Sequence, residues 1–207
     1  NIVLGKEAGC CLQTGGQNIF MGTEAGACKQ SGTANVVIGV DAMRGGASVA
    51  SNTGACNVMI GHSAGKENTT GNYNVFFGCG AGKNNTTGND NIVLGRDALS
   101  AGTVSGSWNI VIGCAAAKNA TSGHDNIFLG NCAGVNGVVT GKYNIVFGTC
   151  TGKELTSGEH NILLGRMAGD AITTSNSHVA IGCGALSSED TGTNGAVAIG
   201  YEALKLQ

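Results

Sequence analysis

Proline is absent from this chain of 207 residues, and aromatic and charged residues are scarce. Aromatic residues make up 4% of the sequence and charged residues 12%, and the formal net charge is −2 at pH 7. The 11 lysines and arginines are scattered singly, which argues against a nucleic-acid partner or a polybasic membrane anchor. No apolar run approaches the roughly 18 residues of a membrane-spanning helix, so we expect no membrane insertion.

Glycine, in contrast, is abundant, with 37 residues in the chain. Glycine-rich chains are disordered when they also have low hydrophobicity. Here 42% of the residues are hydrophobic, and they recur in a fixed register. We therefore predict an ordered chain.

The hydrophobic residues recur in register because a short motif is repeated. The motif, Asn-Ile-Val-Leu-Gly at residues 1–5, has twelve copies that vary in their side chains. Successive copies are 17 or 18 residues apart, except for one spacing of 22 residues that follows Asn35. A period this short and regular is typical of a solenoid in which each repeat forms one coil. We predict one continuous array over residues 1–207, and we expect it to be part of a longer fibre protein because solenoid ends normally need caps.

Each repeat is numbered from its motif asparagine, which is position zero. Position one is Ile or Val, position three is Leu, Met, Ile or Phe, and position four is Gly in all twelve copies. Short β-branched runs bounded by glycine indicate strands, and the glycine is expected to adopt a backbone shape or allow a close approach that other residues cannot. The fold class is therefore all-β: a parallel β-solenoid whose coils hold one strand, one short extended piece and two turns.

The asparagine column is intact in ten of twelve copies and is interrupted by His178 and Ala196. Asparagine side chains stacked in this way can form a hydrogen-bonded ladder, and we favour that structural role over ligand binding.

Position two is apolar in every copy, which would be unusual for a monomeric rod if this position faced outward. Strand side chains alternate between faces, so inward positions one and three would expose position two as a long apolar column. Self-association would cover it, and we predict a homotrimer, with a dimer or a laterally packed fibre as alternatives. The predicted interface comprises Val3, Phe20, Val37, Met59, Phe76, Val93, Val111, Phe128, Val146 and Leu163.

The repeat, with its Asn-Ile-Val-Leu-Gly, Ala-Gly and Asn-Thr-Thr-Gly segments, resembles the head repeats of trimeric autotransporter adhesins and, still more, the shaft repeats of phage and other viral tail fibres. The resemblance covers essentially the whole chain. It implies a left-handed β-roll or β-helix that trimerises and serves as a stiff spacer or adhesive surface on a virion or outside a cell. The period of 17 or 18 residues and the nine cysteines depart from the adhesin pattern and favour a viral fibre.

The nine cysteines contain no CxxC pair and no histidine-flanked zinc pattern. Cys11 and Cys28 share one position in successive coils, as do Cys132 and Cys150, which places their Cα atoms about 5 Å apart and within reach of a disulfide. Free thiols packed as small apolar groups are the alternative.

The residue before each asparagine, position minus one, is variable and expected to be exposed. Along the middle of the chain aromatic rings alternate with acidic or histidine side chains: Tyr73, Asp90, Trp108, Asp125, Tyr143 and His160. Rings beside hydrogen-bond acceptors are typical of carbohydrate sites, so this column is a candidate glycan-binding stripe. Aromatic side chains that only cover neighbouring coils are the alternative.

Acidic residues recur at position six, where Glu7, Glu24 and Asp41 fall in consecutive coils. A calcium site there is less favoured than a solvated acidic edge, since the nonapeptide of calcium-binding β-rolls is missing. The extra residues of the 22-residue repeat, around Gly45 to Asn52, are expected to form a loop.

The sequence contains no nucleophile elbow, phosphate-binding loop or His-Glu metal motif, so we predict neither an enzyme nor a cofactor. We predict a structural fibre that spaces or presents a receptor-binding part on a virion or cell surface. The alternative is an adhesin whose rod surface itself binds host glycan or matrix. An ice-binding solenoid is disfavoured because threonine is confined mainly to one turn.

Overall fold

The computed structural model describes residues 1–46, 52–188 and 194–205. These residues form a parallel β-solenoid with a single twelve-stranded sheet, in which the strands follow one another in chain order. The strands are β1 (Ile2–Leu4), β2 (Ile19–Met21), β3 (Val36–Ile38), β4 (Val58–Ile60), β5 (Val75–Phe77), β6 (Ile92–Leu94), β7 (Ile110–Ile112), β8 (Ile127–Leu129), β9 (Ile145–Phe147), β10 (Ile162–Leu164), β11 (Val179–Ile181) and β12 (Val197–Ile199). The predicted fold class is confirmed.

Every strand pairs in parallel with the equivalent strand of the next coil. Ile2 aligns with Ile19, and even across the 22-residue repeat Val36 aligns with Val58. Identical positions therefore stack in columns along the rod. With a strand spacing of about 4.8 Å, the twelve strands span roughly 55 Å.

The rest of each coil is less regular than predicted. Outside the twelve strands, the described residues contain one isolated bridge, between Asn85 and Val104, in place of a second extended piece in each coil. The loop predicted around residues 45–52 falls largely on residues 47–51, which lie outside the described residues. At its border, buried Asn52 donates from Nδ2 to the carbonyls of Cys28 (2.9 Å) and Gly46 (3.1 Å).

The predicted facing of the strands is wrong. The central strand residue, position two, points into the coil, whereas positions one and three point outward. The residues assigned to a trimer interface are instead the core of a single chain, with Val3 on the edge strand β1 as the exception: Phe20, Val37, Met59, Phe76, Val93, Val111, Phe128, Val146 and Leu163 are all buried. They cannot contact another chain without unfolding the coil.

Volume matching across the coil explains this facing. Position eight packs against position two: a Cβ added at Gly26 would lie 2.9 Å from the Phe20 ring, and one at Gly134 would lie 2.5 Å from the Phe128 ring. Whenever position two is Phe, Met or Leu, position eight is Gly. Where position two is Val or Ala, position eight is Met, Leu or Ala in five of seven coils. The two columns together fill a narrow interior at close packing.

Glycine at position four has both predicted properties. Its φ lies between +125° and +139° in all twelve coils, a region that side chains rarely adopt. A Cβ at Gly78 would also lie 2.7 Å from the carbonyl oxygen of Gly95 in the next coil. Only glycine allows both the turn and the close stacking of backbone on backbone.

The asparagine ladder is also confirmed. Asn126, for example, donates its backbone N–H and its Nδ2 to Oδ1 of Asn109 (3.1 and 3.3 Å), and its Nδ2 also donates to the Gly141 carbonyl at 2.9 Å. Where the column is interrupted, Nδ1 of His178 accepts the backbone N–H of Ala196 at 3.1 Å. The ladder satisfies buried polar groups that the turn would otherwise leave unpaired.

Among the described residues, one cationic side chain lies in the interior. Lys29 is fully buried, and its Nζ reaches two coils onward to lie 3.4 Å from the carbonyl oxygen of Thr69. This burial lowers the pKa of Lys29 to about 7, because the charged form has lost its hydration. Nothing in the sequence pattern predicted that this lysine would be buried.

Candidate functional site

The first candidate surface is the outer face of the sheet, formed by positions one and three. None of these side chains is buried in the single chain, and large ones such as Phe77, at 57% exposure, are open to solvent. Twelve strands of three residues give a face of about 55 Å by about 10 Å. An apolar strip of this size reaches the upper end of what monomers expose and is typical of interaction sites.

The second candidate surface is the column at position minus one, beside that face. Tyr73, Trp108 and Tyr143 are 62%, 60% and 46% exposed, Asp90 and His160 are exposed, and Asp125 is half-buried. The structure therefore brings the predicted aromatic and acidic residues into one accessible line, as expected.

Every residue of this column has a left-handed backbone. Tyr73, Trp108 and Tyr143 have φ of +58°, +57° and +59°. Bulky side chains are unfavourable there by about 1–2 kcal/mol relative to glycine. Glycine, Asn or Asp would relieve the turn, so the rings are placed at a cost in stability. The same conformation occurs at this position in coils without an aromatic ring, such as those of Gln17 and Ala34, so it belongs to the turn of every coil and does not single out the rings.

The ring of Tyr143 is held by its neighbours. His160 stacks on it with centroids 5.0 Å apart, and His124 meets its edge at 5.8 Å. Nδ1 of His124 in turn lies 2.7 Å from Oδ2 of Asp125. The Lys142 ammonium sits 5.8 Å from the Tyr143 centroid. These contacts restrict the side chains of the column between Asp125 and His160.

The acidic edge at position six is neutralised by nearby cations. Arg44 lies 3.2 Å from Glu24, and Lys66 lies 2.9 Å from Asp41 and holds the pKa of that carboxyl below its ordinary value. Among the described residues, no group of three or more His, Cys, Asp or Glu side chains could hold a metal ion.

All nine cysteines are free thiols in this structure. Neither candidate disulfide, Cys11 with Cys28 or Cys132 with Cys150, is formed in this structure, and thiol titration of the protein tests both pairs. Burial, followed by the neighbouring Cys150 and Cys114, raises the pKa of Cys132. Its thiol is therefore less reactive than a free cysteine.

Comparison with known proteins gives no relative: no family model, no curated protein and no solved structure matches the chain. Over the described ranges there is no helix with the length and hydropathy needed to cross a membrane. The interpretation of the two surfaces therefore depends on their own geometry.

Proposed function

We propose that this chain is a structural rod, the shaft of a fibre on a virion or cell surface, that associates as a homotrimer and spaces or presents a receptor-binding part. Its role is mechanical rather than catalytic. The observation that carries the proposal is the apolar outer face of the sheet, which runs the whole length of the coil stack.

The face supports self-association because of its unbroken length and its regularity. A standard interface buries about 800 Å² per partner, and this strip has a projected area of roughly 550 Å² before side-chain relief is counted. Its two columns repeat with the coil spacing, so a second copy in the same direction matches it coil for coil. Three such faces around an axis parallel to the rod would form a shared apolar core.

The mass of the chain in solution tests this proposal. Light scattering with native mass spectrometry should give about three times the chain mass of 20.5 kDa. The double variant Ile92→Lys with Ile145→Lys places two charges on the outer face and should dissociate the assembly. The matched control, Thr70→Lys with Thr87→Lys, alters exposed residues away from this face and should keep the mass unchanged. A wild-type monomer at micromolar concentration would refute self-association.

A virion location is supported by the resemblance of the repeat to tail-fibre shaft repeats. Nine free thiols on titration would fit assembly in a reducing cytoplasm.

A second candidate function, an adhesin whose rod surface binds glycan, is favoured by the aromatic column. Its rings are exposed and fall in one column, and carboxylates lie between them in the intervening coils. Replacement of Tyr73, Trp108 and Tyr143 together by serine should abolish glycan binding. Unchanged binding would dismiss this function.

A further inference from the structure

We propose that Cys114, held beside Arg96, is a modification site that reacts with small anionic disulfides, and that Cys132 of the next coil then displaces the bound group. The product is a disulfide between two neighbouring coils. This proposal goes beyond the role of the chain as a rod, and it does not depend on the trimeric state.

The contact between a guanidinium and a sulfur is the first argument. Nη2 of Arg96 donates to Sγ of Cys114 at 3.2 Å. The two residues occupy position five in successive coils, Arg96 is exposed and Cys114 is half-buried, so a small solute can reach the sulfur. Arginine stays charged throughout the ordinary pH range. Its charge attracts an anionic reagent and stabilises the negative charge that the sulfur carries when it attacks.

The same arrangement occurs a second time along this corner of the rod. Arg166 and Cys183 also occupy position five in successive coils, and Nη1 of Arg166 lies 4.0 Å from Sγ of Cys183. The chain has three arginines, and two of them stand one coil before a cysteine at this position. The coil after Cys183 has Tyr201 and Glu202 where a second thiol would be needed, so this pair is a natural reference without a resolving cysteine.

The second thiol of the site is Cys132. Its backbone N–H donates to the carbonyl of Cys114 at 2.9 Å, so the two residues are direct neighbours in the coils of β7 and β8. The coil spacing of about 5 Å lies within the range of Cα distances that a disulfide spans. Burial, followed by the nearby Cys150 and Cys114, raises the pKa of Cys132. Cys114 therefore attacks the reagent first, and Cys132 acts in the second, intramolecular step.

The two steps balance as thiol–disulfide exchange. The thiolate of Cys114 attacks one sulfur of the reagent, the disulfide bond of the reagent breaks, and its other half leaves as a thiolate. Cys132 then loses its proton to solvent and attacks the Cys114 sulfur of the mixed disulfide, and the second half leaves as a thiolate. The two cysteines are oxidised by two electrons, and the reagent is reduced to two thiols.

Paired alkylation rates test the role of the arginine. Each cysteine is labelled with anionic iodoacetate and with neutral iodoacetamide, and peptide mass spectrometry gives the ratio of the two rates, which removes differences in access. The ratio at Cys114 should exceed that at Cys56, an exposed thiol in another column, by about two- to fivefold, the size of an exposed ion pair. Arg96→Gln should abolish this excess and Arg96→Lys should retain most of it, whereas Arg166→Gln should alter only the ratio at Cys183.

Glutathione disulfide, which is anionic, tests the second step. After treatment, the wild type should have lost two thiols, should carry no attached glutathione, and should give a peptide pair joined through Cys114 and Cys132. Cys132→Ser should stop at the mixed disulfide, seen as one glutathione attached to Cys114. The matched control, Cys150→Ser, should still form the bridge.

Four outcomes would overturn the proposal. Equal rate ratios at Cys114 and Cys56, or a ratio at Cys114 that Arg96→Gln leaves unchanged, would show that the guanidinium does not activate this sulfur. A bridge between Cys132 and Cys150, or an adduct trapped by Cys150→Ser, would show that the pairing is wrong. None of these results bears on the mass of the rod in solution, so they leave the proposed function untouched.

Discussion

Alanine at Gly78 gives the most direct test of how the coils stack. In the wild type, Gly78 has φ of +137°, and an added Cβ would lie 2.7 Å from the carbonyl oxygen of Gly95 and 2.8 Å from its carbon. The substitution therefore combines two effects. It strains the backbone, and it forces two hydrogen-bonded coils apart.

Each effect has an expected size. A side chain in this glycine-only region costs about 1–3 kcal/mol. Overpacking against a backbone atom that cannot rotate away adds about 1–3 kcal/mol. Gly78→Ala should therefore lower the free energy of unfolding by roughly 2–6 kcal/mol, a large fraction of the stability of an ordinary domain.

Two matched substitutions separate the effects. Gly200 has the same strained backbone, with φ of +125°, but the nearest heavy atom to an added Cβ is 3.9 Å away. Gly200→Ala should therefore show the backbone cost alone. At Gly16 no heavy atom lies within 4 Å and φ is not in the positive range, so Gly16→Ala should be nearly neutral.

Urea denaturation followed by circular dichroism measures the free energy of unfolding of the wild type and of the three variants, Gly78→Ala, Gly200→Ala and Gly16→Ala. Since repeat arrays can unfold in parts, hydrogen exchange of the strand amides should accompany it. The stacking argument is refuted if Gly78→Ala costs no more than Gly200→Ala.

Three further predictions concern the interior and the thiols. The folded pKa of Lys29, about 7, lies below its unfolded value near 10.4, so the unfolded state binds more protons between these two pH values. The free energy of unfolding should therefore rise with pH across this window, by up to about 5 kcal/mol. Asn126→Ala removes donors to Asn109 and Gly141 and the acceptor for Asn144, and should cost about 2–4 kcal/mol. Titration of the unfolded, unreduced protein should find nine free thiols.

Each of these has its own control. Lys29→Met should flatten the pH dependence between pH 7 and 10, and an unaltered slope would show that another group is responsible. An exposed asparagine, Asn131→Ala, controls for the ladder, and equal losses at both positions would contradict its structural role. Seven or fewer thiols would establish a disulfide in solution.

The regular features of the fold could be predicted because they depend on one position of the repeat at a time. The invariant glycine at Gly78 and its equivalents, the asparagine ladder and the parallel register each follow from local chemistry that is repeated twelve times. The exposed column of Tyr73, Trp108 and Tyr143 also followed from variability at a single position.

Which face of each strand points inward could not be predicted in this way, because positions one, two and three are all apolar. Alternation of side chains is satisfied equally well with position two inside or with positions one and three inside. The deciding signal joins two positions. Phe20 is matched by Gly26 and Phe128 by Gly134, so volume is conserved between them, and only an interior requires that.

The positive φ of the column residues and the burial of Lys29 were also missed. Trp108 and Asp90 share a backbone conformation although their side chains differ completely, so residue type gives no warning of it. Lys29 is interior because its side chain runs past Gly54 in the next coil to the Thr69 carbonyl in the coil after that, which is a property of three coils together.

The direction of the strand pairing has a mechanical consequence. Hydrogen bonds between coils run along the length of the rod, so the coils bear a pull on its ends in series and separate one at a time rather than all together. Under tension a single rod should therefore extend in a series of small, similar releases, each freeing one coil of about 17 residues, or roughly 50 Å of chain. Such a shaft would absorb a sudden load by lengthening before it breaks, and it could restack from the coils that remain.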